Sequence, residues 1–121
     1  MTPITLPAGN YVIGDLCYQD DWDEIISSVN TLKREASGKT EDGRDFWFAS
    51  TKWGDGVYRD QYNQEYFVDA GIIGCIRVDD DYRARGNMGR NFIMEQRFQC
   101  YVEDDKIIIN GVIIDTNPEE E

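Results

Sequence analysis

Three short stretches of this sequence combine glycine, aspartate and aromatic or aliphatic residues, and they are its strongest candidates for chemistry. They are Gly14-Asp15, Trp53 to Tyr58 and Asp69 to Gly71. Glycine lets a backbone approach a ligand closely, and carboxylate oxygens suit calcium or magnesium. None of the stretches has the spacing of an EF-hand loop, and an aspartate beside a glycine more commonly bonds to its own turn. We therefore predict no metal site and treat the three turns as one candidate binding face.

The loop from Asp79 to Asn91 is a second candidate for binding. It contains three aspartates, three arginines and two glycines, and it is the only locally basic region of an acidic chain. Loops of this kind often carry binding residues. Aromatic rings with arginines suit a phosphorylated, nucleotide-like ligand, although the arginines can instead pair with the aspartates of their own loop. The predicted binding residues are Asp15, Trp53, Asp55, Tyr58, Asp69, Arg83, Arg85 and Arg90.

The chain contains no histidine, which narrows the possible enzymes. Catalytic mechanisms that need histidine are therefore excluded. These are Ser-His-Asp and Cys-His nucleophilic catalysis, His-ligated metal centres and acid–base catalysis by imidazole. Two carboxylates can act together on a glycosidic bond, but only at a suitable separation in space. The acidic surroundings of Cys17 disfavour its thiolate, so this residue fits a buried core cysteine better than a nucleophile. We predict no cofactor and no catalytic residue, with a carboxylate- or divalent-metal-dependent hydrolase as the alternative.

The charge balance also restricts the partners. The chain has 24 acidic and 12 basic residues, a formal net charge of −12. Such a field repels nucleic acid and anionic membranes and favours cationic partners, although solubility alone is a sufficient explanation. We expect no direct binding to nucleic acid or membrane. Imitation of the DNA phosphate backbone is an alternative, but the arginine loop interrupts the acidic surface.

The length of 121 residues predicts one domain over residues 1–121. Residues 1–8 are expected to be an extended lead-in, and residues 116–121 an acidic, flexible tail. The three cysteines include no Cys-x-x-Cys pair, which argues against a disulfide framework and against a zinc site. The sequence has no secretory signal pattern, and its apolar runs are too short to span a bilayer, so we expect a cytoplasmic protein.

The hydrophobic pattern predicts an α+β fold. Residues 20–36 have an apolar stripe at helical spacing, which indicates one long amphipathic helix that stops near Gly38. The rest predicts a mainly antiparallel, twisted sheet of about six to seven strands against which this helix packs. Tyr11 and Ile13 are expected to share one face of the first strand, and Phe92 to Glu103 to form one long strand. Asn110-Gly111 is the strongest hairpin signal.

Three segments of the chain resemble a group of small, mostly uncharacterised phage-encoded proteins. Gly9 to Tyr18, Gly54 to Tyr58 and Tyr66 to Gly74 follow the patterns G-x-Y-x-I-G-D-P-C-Y, G-D-G-x-Y and Y-x-V-D-A-G-x-I-G. The match covers about the first two thirds of the chain. It departs at Leu16, where the pattern has proline, so the turn after Asp15 is expected to be looser here. The resemblance implies a phage or prophage origin and a cytoplasmic role during infection, without a transferable activity.

These observations together predict a non-enzymatic, phage-type accessory protein. Its expected role is to bind a host protein, such as a defence factor, and to modulate or inhibit it. The alternative with the same site is a pocket of aromatic, arginine and aspartate side chains that sequesters a nucleotide-like small molecule. The sequence leaves the identity of the partner and the oligomeric state open.

Overall fold

The computed structural model describes residues 3–16, 23, 35–52, 54–69, 71–79 and 89–116. These residues form two antiparallel sheets, a large sheet of six strands and a small sheet of five. The strands are β1 (Ile4–Leu6), β2 (Gly9–Gly14), β3 (Glu35–Lys39), β4 (Asp45–Ser50), β5 (Gly56–Asp60), β6 (Glu65–Val68), β7 (Ile72–Arg77), β8 (Arg90–Met94), β9 (Phe98–Glu103), β10 (Lys106–Ile109) and β11 (Val112–Asp115). The large sheet has the order β1-β9-β10-β11-β5-β6 and the small sheet the order β3-β4-β7-β2-β8.

The expected α+β class, with one sheet of six or seven strands, is therefore wrong, because the described part of the chain is almost entirely β. Residues 20–22 and 24–34 of the predicted helix lie outside the described residues. Its last two residues, Glu35 and Ala36, begin β3 and pair with β4. Gly38, expected to stop the helix, lies inside the same strand. Pairing with a neighbouring strand here overrides the local preference for helix. Among the described residues, no helix is long and apolar enough to cross a membrane.

The main core lies between the two sheets. Alternate residues of each strand point into it, as the two-residue period of a strand requires. Tyr11 and Ile13 enter from the small sheet, as predicted, and they meet side chains of the large sheet such as Phe98. The rings of Tyr11 and Phe98 are edge to face, with centroids 4.9 Å apart. The other fully buried members of this core include Trp47, Ile73, Cys75, Cys100, Ile107, Ile109 and Ile114.

The small sheet also buries its opposite face. Val12, Phe46 and Ile76 point there and join a second apolar cluster with Leu16. A sheet buried on both faces needs apolar residues at consecutive positions. This requirement explains the nearly unbroken apolar sequence of β4 and β7, in which five successive residues of each strand are buried.

The sequence predicted one turn correctly and missed another. Asn110 and Gly111 connect β10 to β11 in a two-residue hairpin with φ of 50° and 81°, which confirms the hairpin prediction. The single long strand expected from Phe92 to Glu103 is wrong, because the chain turns at residues 95–97 and passes from β8 in the small sheet to β9 in the large one. Within residues 1–8, Ile4–Leu6 form an edge strand that pairs with β9.

Candidate functional site

The sheet registers bring the three Gly-Asp turns to one end of the sandwich. Asp15 directly follows β2, Thr51 follows β4, and Asp69 to Gly71 lie between β6 and β7. In the pairing of β4 with β7, Ser50 lies opposite Ile72, and in the pairing of β5 with β6, Gly56 lies opposite Val68. The strands therefore end or begin at neighbouring positions. We call the described residues of these turns, Asp15, Thr51, Lys52, Gly54, Asp55, Asp69 and Gly71, the Asp loop end.

A buried carboxylate joins the first and third turns. The Oδ2 atom of Asp15 accepts a hydrogen bond from the backbone N–H of Asp69 at 2.7 Å, across 54 positions of the sequence. Asp15 is only 1% exposed. A charged acceptor makes a stronger bond to a backbone N–H than a neutral acceptor does. Asp15 therefore positions the turn of Asp69 and has little surface with which to contact a ligand.

A hydroxyl and two glycines join the second and third turns. The Thr51 Oγ1 lies 2.6 Å from the carbonyl oxygen of Gly54 and 3.3 Å from that of Gly71. Both glycines have positive φ, near 80°, and a Cβ on Gly71 would lie 3.6 Å from the Gly54 Cα. The Tyr58 hydroxyl donates a further bond of 2.8 Å to the Gly54 carbonyl. Because Tyr58 is 3% exposed, it supports this turn from inside and offers no stacking surface.

The exposed carboxylates of this end belong to Asp55 and Asp69. A further acidic turn, Asp104-Asp105, lies at the same end. It is joined to the Asp loop end by Lys52, whose Nζ lies 3.4 Å from the Asp105 Oδ2. Thr116 completes the link, since its hydroxyl accepts the Lys52 N–H at 3.2 Å and its own N–H donates to the Asp105 carbonyl at 3.0 Å. The sequence pattern gave no sign that this turn lies beside Lys52.

The other predicted site residues are Trp53, Arg83, Arg85 and Arg90. Trp53, Arg83 and Arg85 lie outside the described residues. Arg90 is at the start of β8, and its Nη1 donates to the Gln64 Oε1 at 2.8 Å. Gln64 precedes β6, whereas Asp69 follows it, so Arg90 contacts the opposite end of that strand. Within the described part of the chain, histidine, cysteine and acidic side chains form no group of three that could hold a metal ion.

A second polar network, around Asp60, was not predicted. Its Oδ1 accepts the N–H groups of Tyr62 and Gln64 at 2.8 and 3.0 Å, and its Oδ2 accepts the Tyr66 hydroxyl at 2.8 Å. Burial and this bond to Asp60 raise the pKa of Tyr66 well above its usual range. Asp60 is 8% exposed and closes the turn between β5 and β6, which makes it a structural residue.

A polar groove lies at the opposite end of β9 from the Asp104-Asp105 turn. Its volume is about 680 Å³. Its lining residues are Thr5, Gln96, Arg97, Phe98, Gln99, Asn110 and Gly111. Among the predicted site residues that the structure describes, none lines this groove.

Comparison with known proteins identifies no relative. No protein-family model, no curated protein and no solved structure matches the chain. The resemblance to phage-encoded proteins therefore stays a prediction. Any function must be argued from the residues themselves, and the Asp loop end is where the turns singled out in the sequence meet.

Proposed function

We propose that this protein is a non-enzymatic binding protein that attaches through the Asp loop end to a positively charged surface of a partner protein. The hydrogen bond from the Asp69 N–H to Asp15 carries the proposal, because it fixes the turn that presents the Asp69 carboxylate. Following the resemblance to phage-encoded proteins, the partner is a host component, such as a defence factor, that is modulated or inhibited in the host cytoplasm.

A preorganised loop end favours binding. The turns of Asp55 and Asp69 start from strands of a packed sandwich. The Thr51 hydroxyl joins them through the carbonyl oxygens of Gly54 and Gly71, and Tyr58 holds the Gly54 turn from inside. Groups that are already ordered lose less conformational entropy when a complex forms. Loops held by a rigid scaffold are also a common location for binding residues.

The burial of Asp15 and Tyr58 favours a protein partner over a nucleotide-like molecule. Asp15 and Tyr58 are 1% and 3% exposed, so neither is available to line a pocket for a base or a phosphate. Asp55 and Asp69 are exposed instead. Exposed carboxylates on projecting turns suit a complementary surface of lysines and arginines, where they speed association and select the partner.

The test uses two double variants with the same change in charge. Asp55→Asn with Asp69→Asn removes both exposed carboxylates of the Asp loop end. Glu41→Gln with Glu95→Gln removes two exposed carboxylates from the turns at the far ends of β4 and β9. The partner is captured from host lysate with the unmodified protein, identified by mass spectrometry and purified for binding measurements. We expect the first double variant to bind it about tenfold more weakly or worse, and the second to bind within about twofold of the unmodified protein.

The salt dependence separates a local effect from the overall charge. Raising the ionic strength from about 0.05 M to about 0.5 M should slow association of the unmodified protein steeply. The same increase in ionic strength should slow association of the Asp55→Asn, Asp69→Asn variant less than association of the Glu41→Gln, Glu95→Gln variant. Equal effects of the two double variants would refute the Asp loop end as the binding face. Recovery of a bound nucleotide by native mass spectrometry, with no captured protein, would instead support the small-molecule alternative.

A further inference from the structure

Two buried cysteines face each other across the main core. Cys75 lies on β7 of the small sheet and Cys100 on β9 of the large sheet, and their sulfur atoms are 3.9 Å apart. Both residues are 0% exposed, and both are free thiols. Free cysteines are commonly buried as small apolar residues. That tendency accounts for their burial but does not account for two cysteines that face each other.

Each cysteine has a paired strand on both sides. In the small sheet, Cys75 lies between Ile13 of β2 and Trp47 of β4. In the large sheet, Cys100 lies between Ile4 of β1 and Ile109 of β10. A covalent bond between them would therefore join the two sheets through strands that are each paired on both sides.

We propose that Cys75 and Cys100 form a reversible disulfide between the sheets when the protein meets a disulfide oxidant such as oxidised glutathione. A disulfide requires sulfur atoms about 2 Å apart and permits a limited range of Cα separations. Rotation about the side-chain torsions, with a small approach of β7 and β9, closes the remaining gap. The bond adds no atoms to the core.

The reaction takes place by two exchanges. One cysteine, as its thiolate, attacks oxidised glutathione, which breaks the glutathione disulfide and releases one glutathione thiol. The second cysteine then attacks this mixed disulfide and releases the second glutathione. In total the two cysteines lose two protons and two electrons, and the oxidant gains them.

The protein fold determines both the rate at which the two cysteines are oxidised and the product of the oxidation. Burial and the neighbouring Cys100 raise the pKa of the Cys75 thiol well above its usual range, so the reactive thiolate is scarce in the closed protein. Oxidation therefore proceeds during transient opening and is slow. A glutathione adduct does not fit into the closed core, whereas the internal disulfide does, so the internal disulfide accumulates.

The experiment incubates the full chain in oxidised and in reduced glutathione, then denatures it, alkylates the remaining thiols and digests with trypsin. Cleavage after lysine and arginine places the three cysteines in separate peptides, residues 1–33, 60–77 and 98–106. We expect a linked pair of 60–77 and 98–106 in the oxidised sample, in a monomeric protein. The midpoint of thermal unfolding should rise by about 5 °C or more and return after reduction.

Two controls make the outcome decisive. Cys100→Ala, and separately Cys75→Ala, should abolish both the linked peptides and the rise in unfolding temperature. A fully unfolded sample shows that the oxidant is active under the same conditions. If Cys75 and Cys100 of the folded protein, after incubation with the oxidant, are still found alkylated once the sample is denatured, while the unfolded chain forms disulfides, or if links to Cys17 dominate, the proposal is wrong.

Discussion

Asp15 shows how one side chain can determine the shape of a loop that it does not itself belong to. Its carboxylate accepts the Asp69 N–H from inside the fold, at a position that is 1% exposed. The Asp15 carboxylate provides the oxygen that accepts the Asp69 N–H, and its charge makes this hydrogen bond stronger. The exposed carboxylates of Asp55 and Asp69 have the opposite property, since they contact solvent and are available to a partner.

We expect Asp15→Ala to lower the free energy of unfolding by about 1–3 kcal/mol, because the Asp69 N–H loses its buried acceptor. Asp15→Asn should cost less, since an amide oxygen can still accept this bond. Asp55→Asn, an exposed change in the same group of turns, should stay within about 0.5 kcal/mol of the unmodified protein. Urea unfolding followed by tryptophan fluorescence measures all three. An Asp15→Ala protein as stable as Asp55→Asn would show that the buried bond contributes little.

At the scale of the elements, β7 is the strand with the least tolerance for change. It lies between β4 and β2, and Gly74 at its centre pairs with Phe48 on one side and Gly14 on the other. A Cβ on Gly74 would lie 2.1 Å from the Trp47 carbonyl oxygen and 2.5 Å from the Phe48 Cα. Both are backbone atoms, so relief of the contact requires movement of β4 itself.

Gly74→Ala should therefore lower the free energy of unfolding by about 3 kcal/mol or more, beyond the usual cost of an oversized core residue. Gly38→Ala on β3 is the matched control. There a Cβ would lie 3.2 Å from a ring atom of Phe46, a side-chain neighbour that can shift slightly. Its cost should be about 1 kcal/mol or less. Urea unfolding provides the comparison, with solubility on expression as a second measure. Similar losses in the two variants would contradict the close approach of β4 and β7.

The elements also show how far the sequence could predict this molecule. Alternation placed Tyr11 and Ile13 on one face of the first strand, and Asn110-Gly111 predicted its hairpin, because both features depend on residues close in sequence. The same alternation continues through Phe92 to Glu103, so it could not reveal that the chain changes sheets at residues 95–97. Periodicity likewise gave no sign that Glu35 and Ala36 pair with β4.

The sequence predicted the residue types of the candidate site and treated its three turns as one face, but it did not show the contacts that join them. The sequence indicated three Gly-Asp turns, but their meeting depends on contacts such as that between Asp15 and Asp69, which are 54 positions apart. Local patterns carry no information on such contacts. For the same reason the sequence could not separate the buried Asp15 and Tyr58 from the exposed Asp55, and it could not place Arg90 beside Gln64.

At the scale of the whole molecule, the sandwich encloses several groups that ionise only at high pH. Burial raises the pKa of Tyr11 above its usual range, and it does the same for Tyr66 and Cys75. Tyr11 and Cys75 belong to the small sheet and Tyr66 to the large one, so both layers contribute. All three groups are neutral while protonated, which suits an apolar interior.

These pKa shifts predict a loss of stability at alkaline pH. The folded protein keeps these protons to a higher pH than the unfolded chain, where tyrosine ionises near pH 10 and cysteine near pH 8.5. Below those values the contribution to stability is fully present, and it is lost as the pH rises through the folded-state pKa values. Each group then lowers the free energy of unfolding by about 1.4 kcal/mol per pH unit. Urea unfolding between about pH 8 and pH 11 measures the slope.

Tyr66→Phe isolates one of the three contributions. The variant loses the hydroxyl that bonds to Asp60, so it should be less stable at neutral pH. It also loses one titrating group. Above pH 10 the slope of its free energy of unfolding against pH should therefore be smaller than that of the unmodified protein, and the difference should be about 1.4 kcal/mol per pH unit. Tyr62→Phe is the control, because it removes the same hydroxyl group from a side chain that is 69% exposed. Lysines titrate in the same range, but they are identical in every variant and cancel in the comparison. An unchanged slope in Tyr66→Phe would mean that this phenol ionises in the folded protein as easily as in the unfolded chain.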